Sequence, residues 1–220
     1  LGRRDGARAV TLDEVLGNAR DIVHATDLPV SADLENGYAD EPEAVAAVIE
    51  RAAEAGLAGC SIEDYSGDGD VGIYDFSLAV ERIQAASEAA RGLDVPFTFT
   101  ARAENLIRGI DDLDDTVRRL QAFEEAGADV LYAPGLNDVT TIRQVTSTVQ
   151  APVNVLASPG NASLSFDDYE AAGAKRISVG GTLARIAVGA FLDAARDIAE
   201  RGRFDRAGQA VSLGDLNRFL

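Results

Sequence analysis

Ser31-Ala32-Asp33-Leu34-Glu35-Asn36-Gly37-Tyr38 and Ser61-Ile62-Glu63-Asp64-Tyr65 each close an apolar run that reads as a buried strand. Residues i and i+2 of a strand share a face. A strand over 30–35 therefore projects Asp33 and Glu35 together, and Glu63 joins them from a neighbour over 59–65. Three carboxylates at adjacent strand ends repel one another unless something positive stands between them. A hard divalent cation with oxygen ligands suits that place; the competing reading is loop-start acids or helix caps. Asp64 has the opposite parity to Glu63 and reads as structural.

The same strand-then-helix pattern continues outward. Further strands are expected over 97–102, 130–134, 153–157 and 177–180. Thr11-Leu12-Asp13-Glu14 is a capping box that opens a helix, and Asp40, Asp75, Asp138, Ser165 and Ser212 are candidate caps for later ones. Val45, Val48, Ile49 and Ala52 recur at helical spacing, as do Val117, Leu120 and Phe123. Alternating apolar strands and amphipathic helices make a parallel sheet covered by helices.

Two architectures compete, an open doubly wound sheet and a (β/α)8 TIM-type barrel. No Gly-x-Gly-x-x-Gly turn follows the first strand, which weakens the nucleotide-binding version. The chain opens on a helix with no strand before it. The economical α/β reading is a (β/α)8 barrel without its first one or two β/α units. Residues 1–202 would form the partial barrel and 203–220 a C-terminal helical extension. Methionine is absent, even at position 1, which gives the same expectation of a missing N-terminal piece.

Composition removes several chemistries. A formal charge of −17 over 220 residues argues against nucleic acid. No run of 18 apolar residues exists, so no membrane partner is expected. One cysteine, Cys60, excludes an internal disulfide and fits a reducing cytoplasm; its place early in a strand makes it a small core residue. The single histidine, His24, lies on a helix surface, which leaves no Ser-His-Asp triad. The sole lysine, Lys175, precedes a strand at the non-catalytic end, against Schiff-base chemistry. Carboxylates, arginines, hydroxyls and amides remain.

Arg102 ends its strand with the parity of Thr98 and Thr100. Its guanidinium either grips an anionic substrate group or makes an internal ion pair with Glu104 or Glu63. Asn154 sits inside an apolar strand and needs hydrogen bonds, from substrate or from backbone. Gly180-Gly181-Thr182 reads as a tight turn more than as an anion site. The Ser66-Gly67-Asp68-Gly69-Asp70 loop lacks calcium-loop spacing and reads as solvated.

These residues resemble the isocitrate lyase/phosphoenolpyruvate mutase superfamily. Ser31 to Tyr38 resembles its Asp-x-Asp/Glu-x-Gly-Tyr segment, and Ala58-Gly59-Cys60-Ser61-Ile62-Glu63-Asp64 its Gly-x-x-Ile-Glu-Asp strand. Thr100-Ala101-Arg102-Ala103-Glu104 resembles the Ala-Arg-x-Glu/Asp strand. Gly127-Ala128-Asp129 and Val179-Gly180-Gly181 fall in family order. The resemblance implies a (β/α)8 barrel in a homo-oligomer, dimer or tetramer, often with a C-terminal helix exchanged between subunits. It implies Mg²⁺, with Mn²⁺ as alternative, near Asp33, Glu35 and Glu63, partly through water. It implies catalytic roles for Glu63 and Arg102, and substrate contacts from Arg102, Asn154, Gly37 and Tyr38.

The implied activity is lyase-like cleavage or formation of a C–C bond beside a small 2-oxo or 2-hydroxy carboxylate, through an enolate. A C–P mutase or hydrolase, an oxaloacetate-type hydrolase or decarboxylase, and an oxo-acid-binding barrel without turnover are the alternatives. Two departures stand out. The loop Tyr65-Ser66-Gly67-Asp68-Gly69-Asp70-Val71-Gly72 has neither the Lys-Lys-Cys-Gly-His type sequence of the lyases nor the Lys-Thr-Asn gate of the mutases. The family's early Trp-Asp motif is also absent from this sequence.

Overall fold

The computed structural model describes residues 9–218. Two compact units divide it after Ser178. The first contains α1 (Leu12–His24), β1 (Ser31–Asp33), α2 (Pro42–Glu54), β2 (Gly59–Glu63), α3 (Phe76–Arg91) and β3 (Thr98–Arg102). It continues with α4 (Leu113–Glu125), β4 (Val130–Tyr132), α5 (Val139–Thr146), β5 (Val153–Leu156), α6 (Phe166–Ala171) and β6 (Arg176–Ser178).

The strands form one sheet in the order β1-β2-β3-β4-β5-β6, with every neighbouring pair parallel. A doubly wound sheet reverses its strand order at a switch point. Here each new strand adds beside the last, which is the winding of a barrel wall and decides between the two expected architectures. Eight-unit closure is not seen among the described residues: six strands are present, and β1 and β6 are the sheet's edges.

Register explains how one sequence serves two faces. Ile62, Ala101, Leu131 and Val153 stand in one row across β2 to β5. All four are buried, in a core with Val45 and Ile49 of α2, Ile83 of α3, and Leu120 and Phe123 of α4. Each large side chain so buried contributes about 1.5–3 kcal/mol. One residue further along, the row is Glu63, Arg102, Tyr132, Asn154 and Arg176. Parallel pairing with a period of two turns that polar row to the opposite face. Close approach of β2 and β3 demands Gly59, where an added Cβ would lie 2.4 Å from the carbonyl oxygen of Thr98.

Thr11, Asp138 and Ser165 cap their helices through side-chain oxygens. Asp75 holds the N-cap position of α3 without a side-chain bond. Asp40 does not cap α2, because Glu41 takes the N-cap position and Asp40 Oδ1 accepts from the Tyr74 hydroxyl instead. Cys60 is fully buried, and burial pushes its thiol far above the usual range. His24 and Lys175 are exposed.

The second unit holds α7 (Thr182–Arg201), a 3₁₀ segment at Asp205–Gln209, and α8 (Leu213–Leu216) capped by Ser212. Gly180 takes a left-handed φ of 48° and Gly181 makes the N-cap without a side-chain bond, which is the expected tight turn. No helix among the described residues is long and apolar enough to cross a membrane.

Candidate active site at the strand ends

Glu63 and Arg102 face each other in register at the ends of β2 and β3. Arg102 Nη2 lies 3.0 Å from Glu63 and 2.8 Å from Glu104, and Nη1 lies 2.5 Å from Asp33. Arg108, from the loop after β3, closes the figure. Its Nη2 is 3.0 Å from both Glu63 and Glu104. Arg102, Glu63, Arg108 and Glu104 thus form a ring of alternating charge. The positive group expected between the strand-end carboxylates is, in the first place, the Arg102 guanidinium.

Burial shapes the ionisation of this ring. Burial pushes the Glu63 carboxyl up to about 8, and Glu104 pushes the same way, against Arg102 and Arg108. For Arg102, burial alone would lower the pKa, but Asp33, Glu104 and Glu63 outweigh it and hold the guanidinium charged. Glu104 is fully buried, and its backbone N–H donates to Asp64 Oδ1 at 2.8 Å.

The first acidic end departs from the simple strand reading. β1 stops at Asp33, whose Oδ1 accepts from the backbone N–H of Glu35 at 3.0 Å. Glu35 has a φ of 48°, so the alternation that would pair its side chain with Asp33 ends there. Its carbonyl still accepts from the Glu63 N–H at 2.8 Å, which keeps the two acidic ends side by side. Gly37, with φ 73°, packs against Ile62 and Val45, and a Cβ would come within 3.2 Å of both. Tyr38 is half-buried, and burial together with Glu35 and Asp33 raises its hydroxyl pKa to about 12.

Two arginines that periodicity does not mark hold this architecture from behind. Arg82 of α3 is buried and donates to the carbonyls of Asn36, Ala39 and Asp40, while stacking on Tyr74. Asn36 donates to Ser66 O and to the Tyr74 hydroxyl, joining the loops after β1 and β2. Arg119 of α4 donates to Asp64 Oδ2 and Tyr74 O, and pairs with Asp115. Asp64 is therefore structural, as its parity predicts. The loop after Tyr65 is closed by Ser66 N–H to Gly72 O and by an antiparallel bridge between Tyr65 and Ile73.

Asn154 is fully buried and its amide is engaged on both sides. It donates to Ser178 Oγ at 3.0 Å and accepts from Arg176 Nη1 at 3.1 Å. Its partners within the chain are side chains of β6 where backbone was expected. Tyr132, between Arg102 and Asn154 in the same row, places its ring 5.1 Å from the Arg102 guanidinium carbon. The internal ion pair of Arg102 with Glu104 or Glu63 is made with both, while sequence reasoning missed Arg108 and Tyr132 altogether. Only Tyr132 had a usable signal, its parity on β4.

The donor set suits a hard cation. Asp33, Glu63 and Glu104 are three carboxylates against two guanidiniums, and the Asp33 side chain is 60% exposed. Among the described residues no three acidic, histidine or cysteine groups converge on one point, because Arg102 stands among them. Mg²⁺ keeps several waters and takes one or two protein carboxylates, so it needs no convergent trio.

A singly wound parallel sheet with an acidic, arginine-laced rim at its strand ends defines a barrel-type α/β protein. The chain belongs to the family described as phosphoenolpyruvate phosphomutase, whose pattern matches residues 1–199. It is 30% identical over 200 residues to the Probable 2-methylisocitrate lyase 2 of Corynebacterium glutamicum, covering 87% of this chain and 64% of that protein. Against the 2-methylisocitrate lyase of Escherichia coli it is 33% identical over 149 residues, covering 65% and 49%. The chain thus spans less than two thirds of the length of either curated relative. Among solved structures, a Burkholderia cenocepacia protein described as a lyase/mutase matches with a TM-score of 0.92 and 52% identity, over 96% of this chain and 76% of that one. A 2,3-dimethylmalate lyase, titled a PEP mutase/isocitrate lyase superfamily member, matches with 0.80 and 27%, over 92% and 71%.

Proposed function

We propose that the protein is a Mg²⁺-dependent lyase that makes or breaks the C–C bond beside a small 2-oxo or 2-hydroxy carboxylate. The observation that carries this reading is the surplus of carboxylate over guanidinium around Glu63 and Arg102 at the strand ends. Family membership and relatives named as 2-methylisocitrate lyases support it. Asp33, Glu35 and Glu63 would hold the cation. When bound, Mg²⁺, or Mn²⁺ in its place, supplies positive charge where the oxo oxygen gains electrons in bond cleavage.

The chain's own residues do the remaining work. Arg102 draws three carboxylates into fixed positions and keeps its charge despite burial. Glu63 is paired with the Arg102 and Arg108 guanidiniums, and a bound cation would compete with them for its carboxylate. Gly37 and Tyr38 form the turn beside Asp33, and Asn154 and Tyr132 extend the polar face towards β6. A barrel completed to eight units, a homo-oligomer, and a cytoplasmic setting belong to the same proposal, supported by the winding of the sheet, the family and the lone buried cysteine.

The family description itself favours a second reading, cleavage or transfer at a C–P bond. Both readings are separated by incubating the full-length protein with Mg²⁺ and a panel of 2-hydroxy acids, 2-oxo acids and phosphonates, while pyruvate, glyoxylate and phosphate release are followed. Pyruvate or glyoxylate from a hydroxy acid, lost with chelator, is the expected result. Phosphate release alone would establish the second reading, and binding without turnover of any compound would overturn both.

A further inference from the structure

Arg102 and Arg108 share the ring but differ in what they have left to give. Arg102 is 9% exposed at its side chain, and its Nε, Nη1 and Nη2 all donate to carboxylates of this chain. Arg108 is 37% exposed. Its Nε and Nη2 serve Glu104 and Glu63, while no described residue accepts a hydrogen bond from Nη1. The Tyr65 ring lies 3.6 Å from the Arg108 guanidinium carbon, so the fork is fixed in place by stacking. Its loop is tied down as well. Arg108 N–H donates to Glu104 O, Ile110 N–H donates to Asn105 O, and the Asn105 side chain donates to Asp115.

A stacked, ion-paired arginine that is partly exposed and has one nitrogen unclaimed by the described residues is prepared for an anion from solvent. We propose that Arg108 is a specificity-determining residue: its Nη1 receives the second anionic group of a substrate that carries two. This rests on the reading of the rim as a carboxylate-substrate site. It also gives Glu104 and Tyr65 a role, as the groups that aim Arg108.

Malate and 2-hydroxybutyrate test this, since both have four carbons and differ in a terminal carboxylate against a methyl. Their affinities are measured by titration calorimetry with Mg²⁺ on the full-length protein and on Arg108→Gln and Arg108→Lys. Malate binding is expected to weaken on the order of 10- to 100-fold more than 2-hydroxybutyrate binding in Arg108→Gln. Arg108→Lys, which keeps charge but loses the flat fork, should fall between. Parallel weakening of both ligands, or no weakening, would overturn the assignment. Should Arg108→Gln not fold, the same ratio in Arg108→Lys decides: a lowered malate preference supports it, an unchanged one overturns it. Wild-type protein that binds neither acid overturns the underlying reading and this inference with it, a failure visible before any variant is made.

Discussion

Glu63 and Asp64 are neighbours in the chain, yet they seed two different polar networks. Glu63 turns to the rim, where three carboxylates meet two guanidiniums and the edge of the cluster is open to solvent. Asp64 turns to α4, where Arg119 and the Glu104 N–H satisfy it in full burial. Behind it, Arg82 ties down three carbonyls of the loop after β1. Both networks are built on arginine and acid. The rear one is matched group for group and closed, as structural polar clusters must be. The rim keeps excess negative charge and an accessible guanidinium, which is what a site for a cation and an anion requires.

Breaking the rear network should have the largest effect on stability. Arg119→Leu strands Asp64 in the interior, and loss of about 3–5 kcal/mol is expected, read from urea unfolding. Stability within 1 kcal/mol of wild type would show that the two networks are less distinct than described. Glu63→Gln should do the reverse. Turnover is expected to fall on the order of 100-fold or more, with the unfolding midpoint little changed at acid pH, where the Glu63 carboxyl is protonated whether the chain is folded or unfolded.

Acidity gives a further contrast. Burial and Glu104 raise Glu63 from 4.5 to about 8, and burial raises Asp64 from 3.8 to about 6. A raised carboxyl keeps its proton in the folded state after the unfolded chain has lost it. Metal-free stability should therefore decline as pH rises through this window and level off above about 8. Glu63→Gln should flatten the upper part of that decline, between about 6 and 8, and leave the part due to Asp64. A decline identical in wild type and Glu63→Gln would remove Glu63 as its source. The smallest effect belongs far from both networks: Thr11→Ala removes the cap of α1 and should cost about 1 kcal/mol without altering turnover. Lost activity there would mean that the site depends on more of the chain than its rim.

Strand alternation made much of this legible. Asp33, Glu63, Arg102 and Asn154 fall on one face because each lies in a strand, where parity carries from residue to residue. Parity ends where the backbone leaves the strand region, and Glu35 with φ 48° is beyond it. Arg108 comes from a loop, and Arg82 and Arg119 from helices; their spacing to the strand ends has no period, so only the folded arrangement brings them in. Asp40 shows the same effect at a cap, since its expected partner was local and its actual partner, Tyr74, is 34 residues away.

The central claim is that Asp33, with Glu35 and Glu63, gives the rim affinity for a divalent cation. Titration of Mg²⁺ into wild type and Asp33→Ala, with Mn²⁺ by electron paramagnetic resonance as a second readout, tests it most directly. Saturable binding to wild type, lost in a folded Asp33→Ala, is the predicted result; equal affinity in both proteins would contradict it.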